Sequence, residues 1–350
     1  MNNTLTEITE KLNHGQKLKH SEFVTLLKSN NSELRENLSK KADQVRRLHF
    51  DNNVYIRGLI EFTNYCKNDC YYCGIRKSNK NASRYRLTKD DILECCQNGY
   101  KLGFRTFVLQ GGEDPYYNDD MLEDIIFSIR NSYSDCAITL SIGERSFNSY
   151  KRLFDAGADR YLLREETADN SHYKMLHPDE MSYDNRMECL NNLKSIGYQV
   201  GCGFMVGSPK QTAENIANDL MFIQEFRPHM VGIGPYITHV DTPFSTESNG
   251  TLEDTLLIIS ILRLIEPKLL LPATTSLGTI HPLGREMGIK AGANVIMPNL
   301  SPTNVRKKYM LYDNKICTGD ESAECVRCVN TKMASIGYNV VTDRGDSPLI

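Results

Sequence analysis

A parallel (β/α)8 TIM barrel, with a helical N-terminal extension and a cysteine-containing C-terminal segment, is the α/β fold this sequence predicts. Three observations predict it. From Val54 onward, eight short strand-like runs alternate with amphipathic stretches, the pattern left by a parallel sheet with crossover helices. Ala-Gly-Ala stands before the fourth and the eighth run, at 156–158 and 291–293, where a tight helix-to-strand turn uses its glycine. Few loops are long enough to signal a linker, and 350 residues suit a barrel of about 250 residues with end pieces.

Residues 1–50 form the helical extension, because Phe23, Val24 and Leu27 follow Ser21, and Leu34, Leu38, Ala42, Val45 and Leu48 recur at spacings of three and four. The barrel takes 51–300. Its strands are expected at 54–62, 106–110, 137–142, 160–164, 199–206, 230–235, 270–275 and 294–297. The helix over 88–102 shows the local logic: Thr88 can cap it, Asp90 and Asp91 suit its positive first turn, and Ile92, Cys96 and Tyr100 share a face. Residues 301–350 are a closing segment, expected over one barrel face, with a second group of cysteines.

Composition narrows the function. With 40% hydrophobic and 24% charged residues and a net charge of −3, the chain buries a large core and lacks the basic footprint of a nucleic-acid binder or of a protein held on anionic lipid. The first twenty residues contain no apolar h-region, and nowhere do eighteen apolar residues run together. A cytoplasmic location is expected, so the eleven cysteines are read as reduced: clustered ones point to metal or catalysis. Cys95, Cys96, Cys136, Cys189 and Cys202 fall at apolar positions and read as core thiols.

Cys66, Cys70 and Cys73, in TNYCKNDCYYCGIR, follow the first strand, at the active end of a parallel barrel. Three thiolates on one short loop can wrap a compact cluster. A structural zinc site takes four protein ligands, and no Cys or His occurs from Gly74 to Glu94; a zinc knuckle would have to borrow Cys317 or Cys325. Three cysteines on a 4Fe-4S cube leave one iron without a protein ligand, the open position that catalysis uses.

C-x3-C-x2-C with Tyr72 before its last cysteine resembles the radical S-adenosylmethionine (SAM) superfamily. Further segments, YYCGIR at 71–76, RYRLT at 84–88, VLQGGEDPYY at 108–117, DRYLLREET at 159–167, MVGSPKQT at 205–212, VGIGPYI at 231–237 and ANVIMPN at 293–299, are similar to the HydE family, the radical SAM maturases of FeFe-hydrogenase, over about residues 40–345. Biotin synthase and methylornithine synthase share the fold and cluster loop. Biotin synthase's additional cluster is disfavoured, because Thr274, Thr275 and Gly201 stand where its ligands are wanted.

The resemblance implies that the cluster's open iron chelates SAM and that reductive cleavage gives methionine and a 5′-deoxyadenosyl radical. It implies a SAM site built from Gln110, Gly111, Gly112 and Glu113 near the methionyl amine, Glu166 at the ribose, Arg186 at the carboxylate, and Ser141, Met205 and Tyr72 as further contacts. Thr139, Arg160, Arg164, Thr274, Thr275, Met297 and Tyr312 match positions lining the substrate cavity. Strand alternation turns Arg160 and Arg164 inward, with Tyr161 and Leu163 outward. Two inward cations call for an anion, such as an amino-acid carboxylate, or else for pairing with Glu144, Glu165 or Glu166. At Glu165 the chain departs from the His of a well-matched relative.

The same resemblance implies a second, peripheral iron–sulfur cluster, 2Fe-2S or 4Fe-4S, on Cys317, Cys325 and Cys328. It also implies an Fe(II) precursor with cysteine, carbonyl and cyanide ligands as substrate, HydG and HydF as partner maturases, and a low-potential electron donor. His172 and His177 are expected at the surface, and Arg76, Lys77 and Lys80 as a solvated face able to dock an acidic donor. Two rival readings remain: a radical SAM mutase acting on a small organic amino acid, as in methylornithine synthase, and a noncatalytic iron–sulfur carrier.

Overall fold

The computed structural model describes residues 3–319 and 326–349, and its first fifty residues form the helices Asn3–Asn13, His20–Leu27 and Ser32–Phe50. Asn31 caps the third by accepting from the Leu34 amide at 3.1 Å. Leu34, Leu38 and Ala42 are buried, on a helix that packs against Leu252–Ile265 on the barrel's outer layer.

The predicted first strand is present in two pieces, β1 (Asn53–Ile56) and β2 (Gly58–Thr63). There follow β3 (Thr106–Gly111), β4 (Ala137–Ser141), β5 (Arg160–Leu162), β6 (Gln199–Cys202), β7 (Met205–Val206), β8 (Met230–Val231), β9 (Gly234–Pro235), β10 (Val295–Ile296) and β11 (Asn339–Val341). Every pairing between these strands is parallel. The order β2-β3-β4-β5-β6-β8 is joined by β10-β1-β11 and by β7-β9. Bridges from Met230 to Leu270, Pro272 to Val295 and Leu59 to Asn299 close the ring. The expected seventh strand shrinks to such bridges because Pro272 has no N–H to give the ladder and Thr274 already stands at the start of the helix Thr275–Ile280. At the break between β6 and β7, Gly203 has φ +149, and a Cβ there would lie 2.1 Å from the Gly232 carbonyl oxygen, so only glycine fits.

The crossover helices form where their signals predict. Thr88 and Asp91 cap Lys89–Lys101 reciprocally, at 2.7 and 3.1 Å. Both Ala-Gly-Ala turns place their glycine, Gly157 and Gly292, at φ +117. The five isolated cysteines are buried and unbonded. Among the described residues no helix is long and apolar enough to cross a membrane.

The C-terminal segment does not lie over one face only. Tyr309, Leu311, Tyr312 and Lys315 line the cavity at the carboxyl ends of the strands, while β11 pairs with β1 and the tail runs beneath the amino ends, where the Arg344 carbonyl accepts from Thr106 Oγ1 at 2.8 Å.

Candidate active site

The cysteine loop leaves β2 and is held by its backbone before any metal is considered. Lys67 N donates to the Glu113 carbonyl at 2.8 Å, Tyr71 N to Leu176 at 3.0 Å and Gly74 N to Leu311 at 2.8 Å. Asp69 accepts from Arg76 Nε and Nη2 at 2.7 and 2.6 Å and from Ser78 N at 2.9 Å. Arg76 is buried in this turn, which corrects its expected place on a solvated face; Lys77 and Lys80 are exposed. The guanidinium of Arg84 donates to the carbonyls of Asn64, Ile75, Arg76 and Asn79.

Cys66, Cys70 and Cys73 are unbonded, half-buried and face one cavity. Burial, reinforced by the neighbouring thiols, pushes Cys73 up to about 12 and Cys70 well above the usual thiol range. An empty loop therefore keeps its protons, and loading it must release them. Among the described residues no three His, Cys, Asp or Glu side chains converge as they would on one ion. Cys317 does not complete a knuckle: it accepts from Arg285 Nη2, 3.2 Å away, beside Thr275.

The cavity, about 350 Å3, has the size of a small-molecule site. Tyr72, Gln110, Gly111, Gly112, Glu113, Ser141, Glu166, Arg186 and Met205 all line it with the three cysteines. A Cβ on Gly112 would lie 2.2 Å from the Tyr65 carbonyl oxygen and 2.8 Å from Cys66 Cβ, so glycine lets the backbone after β3 run against the cysteine loop. Glu113 Oε1 accepts from Glu144 N at 3.0 Å; its Oε2 lies 3.2 Å from Lys67 Nζ without forming an aligned hydrogen bond.

Glu166 has φ +63, a strained conformation for a residue with a side chain. Its amide donates to the Gly203 carbonyl at 3.1 Å. Its Oε2 lies 3.1 Å from Arg164 Nη2, again unaligned. Arg186 donates through Nε to Glu144 at 2.5 Å and through Nη1 to the Arg164 carbonyl at 2.6 Å, which fixes its fork at the cavity wall. Buried polar atoms on Glu113, Arg164 and Glu166 that form no aligned hydrogen bond are what a pocket missing a polar ligand leaves, so the donor set fits a cluster and SAM.

Arg164, Thr274, Thr275, Met297 and Tyr312 line this same cavity; Arg160 and Thr139 do not. They border a void of about 10 Å3 at the other end of the barrel. Arg160 opens β5 and Arg164 lies beyond its end, so about 13 Å of strand separates them at 3.3 Å per residue. The Arg160 guanidinium donates to Asp346 at 2.6 Å, the Arg344 carbonyl at 2.7 Å, and Thr106 and Gln199 at 3.2 Å. It anchors the tail, so the expected pair of arginines around one anion does not form.

Cys317 has φ +62, Cys328 lies on the helix Val326–Ser335 and is disulfide-bonded, and Cys325 lies outside the described residues.

Sequence reasoning missed three features. Lys315 Nζ meets Glu61 Oε1 at 2.5 Å inside the cavity wall, and Asn299 Nδ2 donates to Glu61 Oε2 at 2.8 Å; an acid within the apolar run Gly58–Thr63 was the available signal. His172 and His177 are buried, at 2% and 1% exposure, a correction to their expected surface position. Burial holds His177 neutral, its value pushed down to about 3. Glu165 points away from the cavity and accepts from Gly203 N at 2.6 Å; burial pushes it up to about 7 and pushes nearby Asp219 well above the carboxylate range.

Comparisons with known proteins show the family and the fold. The radical SAM superfamily profile matches residues 60–223. The FeFe hydrogenase maturase subunit HydE of Thermotoga maritima is 43% identical over 94% of this chain and 95% of its own. The 3-methylornithine synthase of Methanosarcina barkeri is 30% identical over 91% and 89%. Among solved structures, methylornithine synthase (PylB) superposes with a TM-score of 0.82 at 27% identity, covering 95% of this chain and 97% of its own. HydG, a maturase of FeFe-hydrogenase, superposes at 0.82 with 20% identity, covering 98% and 77%, a likeness of fold.

Proposed function

We propose, for a chain that belongs to the HydE family of radical SAM enzymes, that it acts in assembly of the two-iron active-site cluster of FeFe-hydrogenase, on an Fe(II) precursor with cysteine, carbonyl and cyanide ligands. The observation that carries this reading is that three unbonded cysteines, the Gly111–Gly112 backbone and polar atoms of Glu113, Arg164 and Glu166 that form no aligned hydrogen bond all face one cavity. When bound, the cluster supplies one electron and SAM the 5′-deoxyadenosyl radical.

The residues divide this work. Cys66, Cys70 and Cys73 hold the cluster. Gly111 and Gly112, flanked by Gln110 and Glu113, admit the methionyl amine; Glu166 accepts from the ribose hydroxyls; and Arg186, aligned by Glu144, faces the carboxylate. Ser141, Met205 and Tyr72 complete the SAM contacts. Arg164, whose Nε and Nη2 lack hydrogen bonds, binds the carboxylate of the substrate's cysteine, with Thr274, Thr275, Met297 and Tyr312 shaping the space around it. A second cluster on Cys317, Cys325 and Cys328 requires the Cys328 disulfide to be reduced first. HydG and HydF as partners, a low-potential electron donor and a cytoplasmic setting complete the reading.

The identity shared with 3-methylornithine synthase makes a small amino acid the rival substrate, and one experiment separates the two. The reconstituted chain, dithionite and SAM are incubated without oxygen, either with the iron–cysteine precursor or with lysine. Consumption of the precursor with turnover of SAM supports the maturase reading; a rearranged lysine product overturns it.

A further inference from the structure

Thr275, on the cavity wall, is held from outside the cavity by Arg285. Gly284 lets the helix Gly284–Lys290 run against the helix Thr275–Ile280, because a Cβ there would lie 2.0 Å from the Leu277 carbonyl oxygen. The next residue, Arg285, does not line the cavity. Its Nη2 donates to Thr275 Oγ1 at 3.3 Å and to Cys317 Sγ at 3.2 Å. Its Nε is buried without a hydrogen bond, a cost that the fold carries while the fork stays at Thr275.

A guanidinium donates and never accepts, so the Thr275 hydroxyl is the acceptor on that side and its own hydrogen needs another partner. Thr275 opens its helix, so no carbonyl of a preceding turn receives that hydrogen as it would inside a helix. The neighbours are engaged: Thr274 Oγ1 and Ser276 Oγ bond each other at 3.0 Å, and the Thr275 carbonyl accepts from Thr279 Oγ1 at 3.0 Å. Among the described residues the Thr275 hydroxyl bonds only Arg285, which leaves its hydrogen to the cavity that Thr275 lines. A hydroxyl that accepts from a cation is also the stronger donor.

We infer that Arg285 is a positioning residue that turns the Thr275 hydroxyl hydrogen toward the cavity, where it is donated to the carboxylate of a bound amino acid that Arg164 also holds. Iron-bound cysteine and lysine both carry that carboxylate, so the inference deepens the proposed function without choosing between its two substrates; it rests on the reading that this cavity takes an amino-acid carboxylate. Cys317 accepts from the same nitrogen, so the second cysteine group reaches the substrate wall through one side chain. Thiol or iron-bound, that sulfur can accept from a guanidinium, and the arrangement does not depend on what Cys317 carries.

The test is anaerobic equilibrium binding of two probes to the full reconstituted chain: the iron–cysteine precursor, and the same complex made with cysteamine, which lacks the carboxylate. The parent binds the cysteine probe more tightly. Thr275→Val raises the Kd of that probe about tenfold or more, the loss of a hydrogen bond to a charged group. Arg285→Met raises it by about threefold to tenfold, because the hydroxyl remains but is free to turn. Neither variant moves the Kd of the cysteamine probe. In the Thr275→Val background, Arg285→Met causes no further loss.

An R285M protein that binds the cysteine probe as the parent does overturns the inference. So does one that loses both probes equally, the mark of a distorted wall, and so does a loss that persists without the Thr275 hydroxyl. A parent that binds both probes alike overturns it too. Should R285M fail to take up iron, Arg285→Gln, polar but too short to reach Thr275, replaces it with the same outcomes on either side. A parent that binds neither probe defeats the maturase reading instead, and lysine against cadaverine, its counterpart without the carboxylate, then decides the inference by the same cycle.

Discussion

Replacing Glu165 by Gln isolates what it costs to bury a carboxyl next to Glu166 without an ion partner. The side chain is fully buried, Oε2 accepts from Gly203 N at 2.6 Å, and Oε1 has no partner. Burial raises its value from 4.5 to about 7. Because the folded value lies above the unfolded one, the fold prefers the protonated form: this stability is fully present below about pH 4.5 and is lost as the pH rises toward 7. Moving from 4.5 to about 7, at about 1.4 kcal/mol per pH unit, corresponds to about 3.5 kcal/mol. Gln keeps the acceptor for Gly203 and cannot ionise, so the variant loses this part of the slope; Asp219, whose carboxyl the charge of Glu165 helps to push up, still titrates in both proteins. Urea unfolding of the cofactor-free chain at pH 5, 6, 7 and 8 should show the stability difference, variant minus parent, growing by about 2–3 kcal/mol across the series. Parallel curves for the two proteins would refute the reasoning.

Cys70→Ala abolishes both cluster loading and SAM cleavage, whereas Cys325→Ala leaves cleavage largely intact; iron content and 5′-deoxyadenosine yield measure the contrast. Glu166→Gln weakens SAM binding by about 1.5–3 kcal/mol, the range for a hydrogen bond to a charged group, which equilibrium binding reads as a Kd raised about tenfold or more. Lys315→Met leaves Glu61 buried, at 1% exposure, without its cation, and costs about 3–5 kcal/mol in a urea melt. The Glu61→Gln/Lys315→Met double variant recovers at least half of that loss; a double variant as unstable as the single one would show that the pair is not coupled.

What the sequence revealed is what local chemistry encodes. Thr88 with Asp91 and the two Ala-Gly-Ala turns set their own geometry within a few residues, and the cysteine loop lies on one continuous stretch, so each was legible. Alternation extended from Arg160 to Arg164 runs past the end of β5 at Leu162, and Leu163, expected outward, lines the cavity beside Arg164; alternation also says nothing of depth, and depth put one guanidinium at the tail and the other at the cavity. Leu270 to Thr275 looked like a strand because its residues are apolar, yet Pro272 and the helix that starts at Thr275 leave only bridges there. Glu61 and Lys315 are 254 residues apart, and Tyr72 and His177 are 105 apart; contacts at such separations arise from barrel closure and leave no periodic trace in the chain.

The most direct test of the account is anaerobic incubation of the iron-loaded chain with dithionite and SAM, followed by quantitation of 5′-deoxyadenosine and methionine against the cluster's spectrum. Formation of both products, dependent on reductant and lost in Cys70→Ala, is the predicted result. An intact, reducible 4Fe-4S cluster that leaves SAM uncleaved would contradict it and make the chain an iron–sulfur carrier.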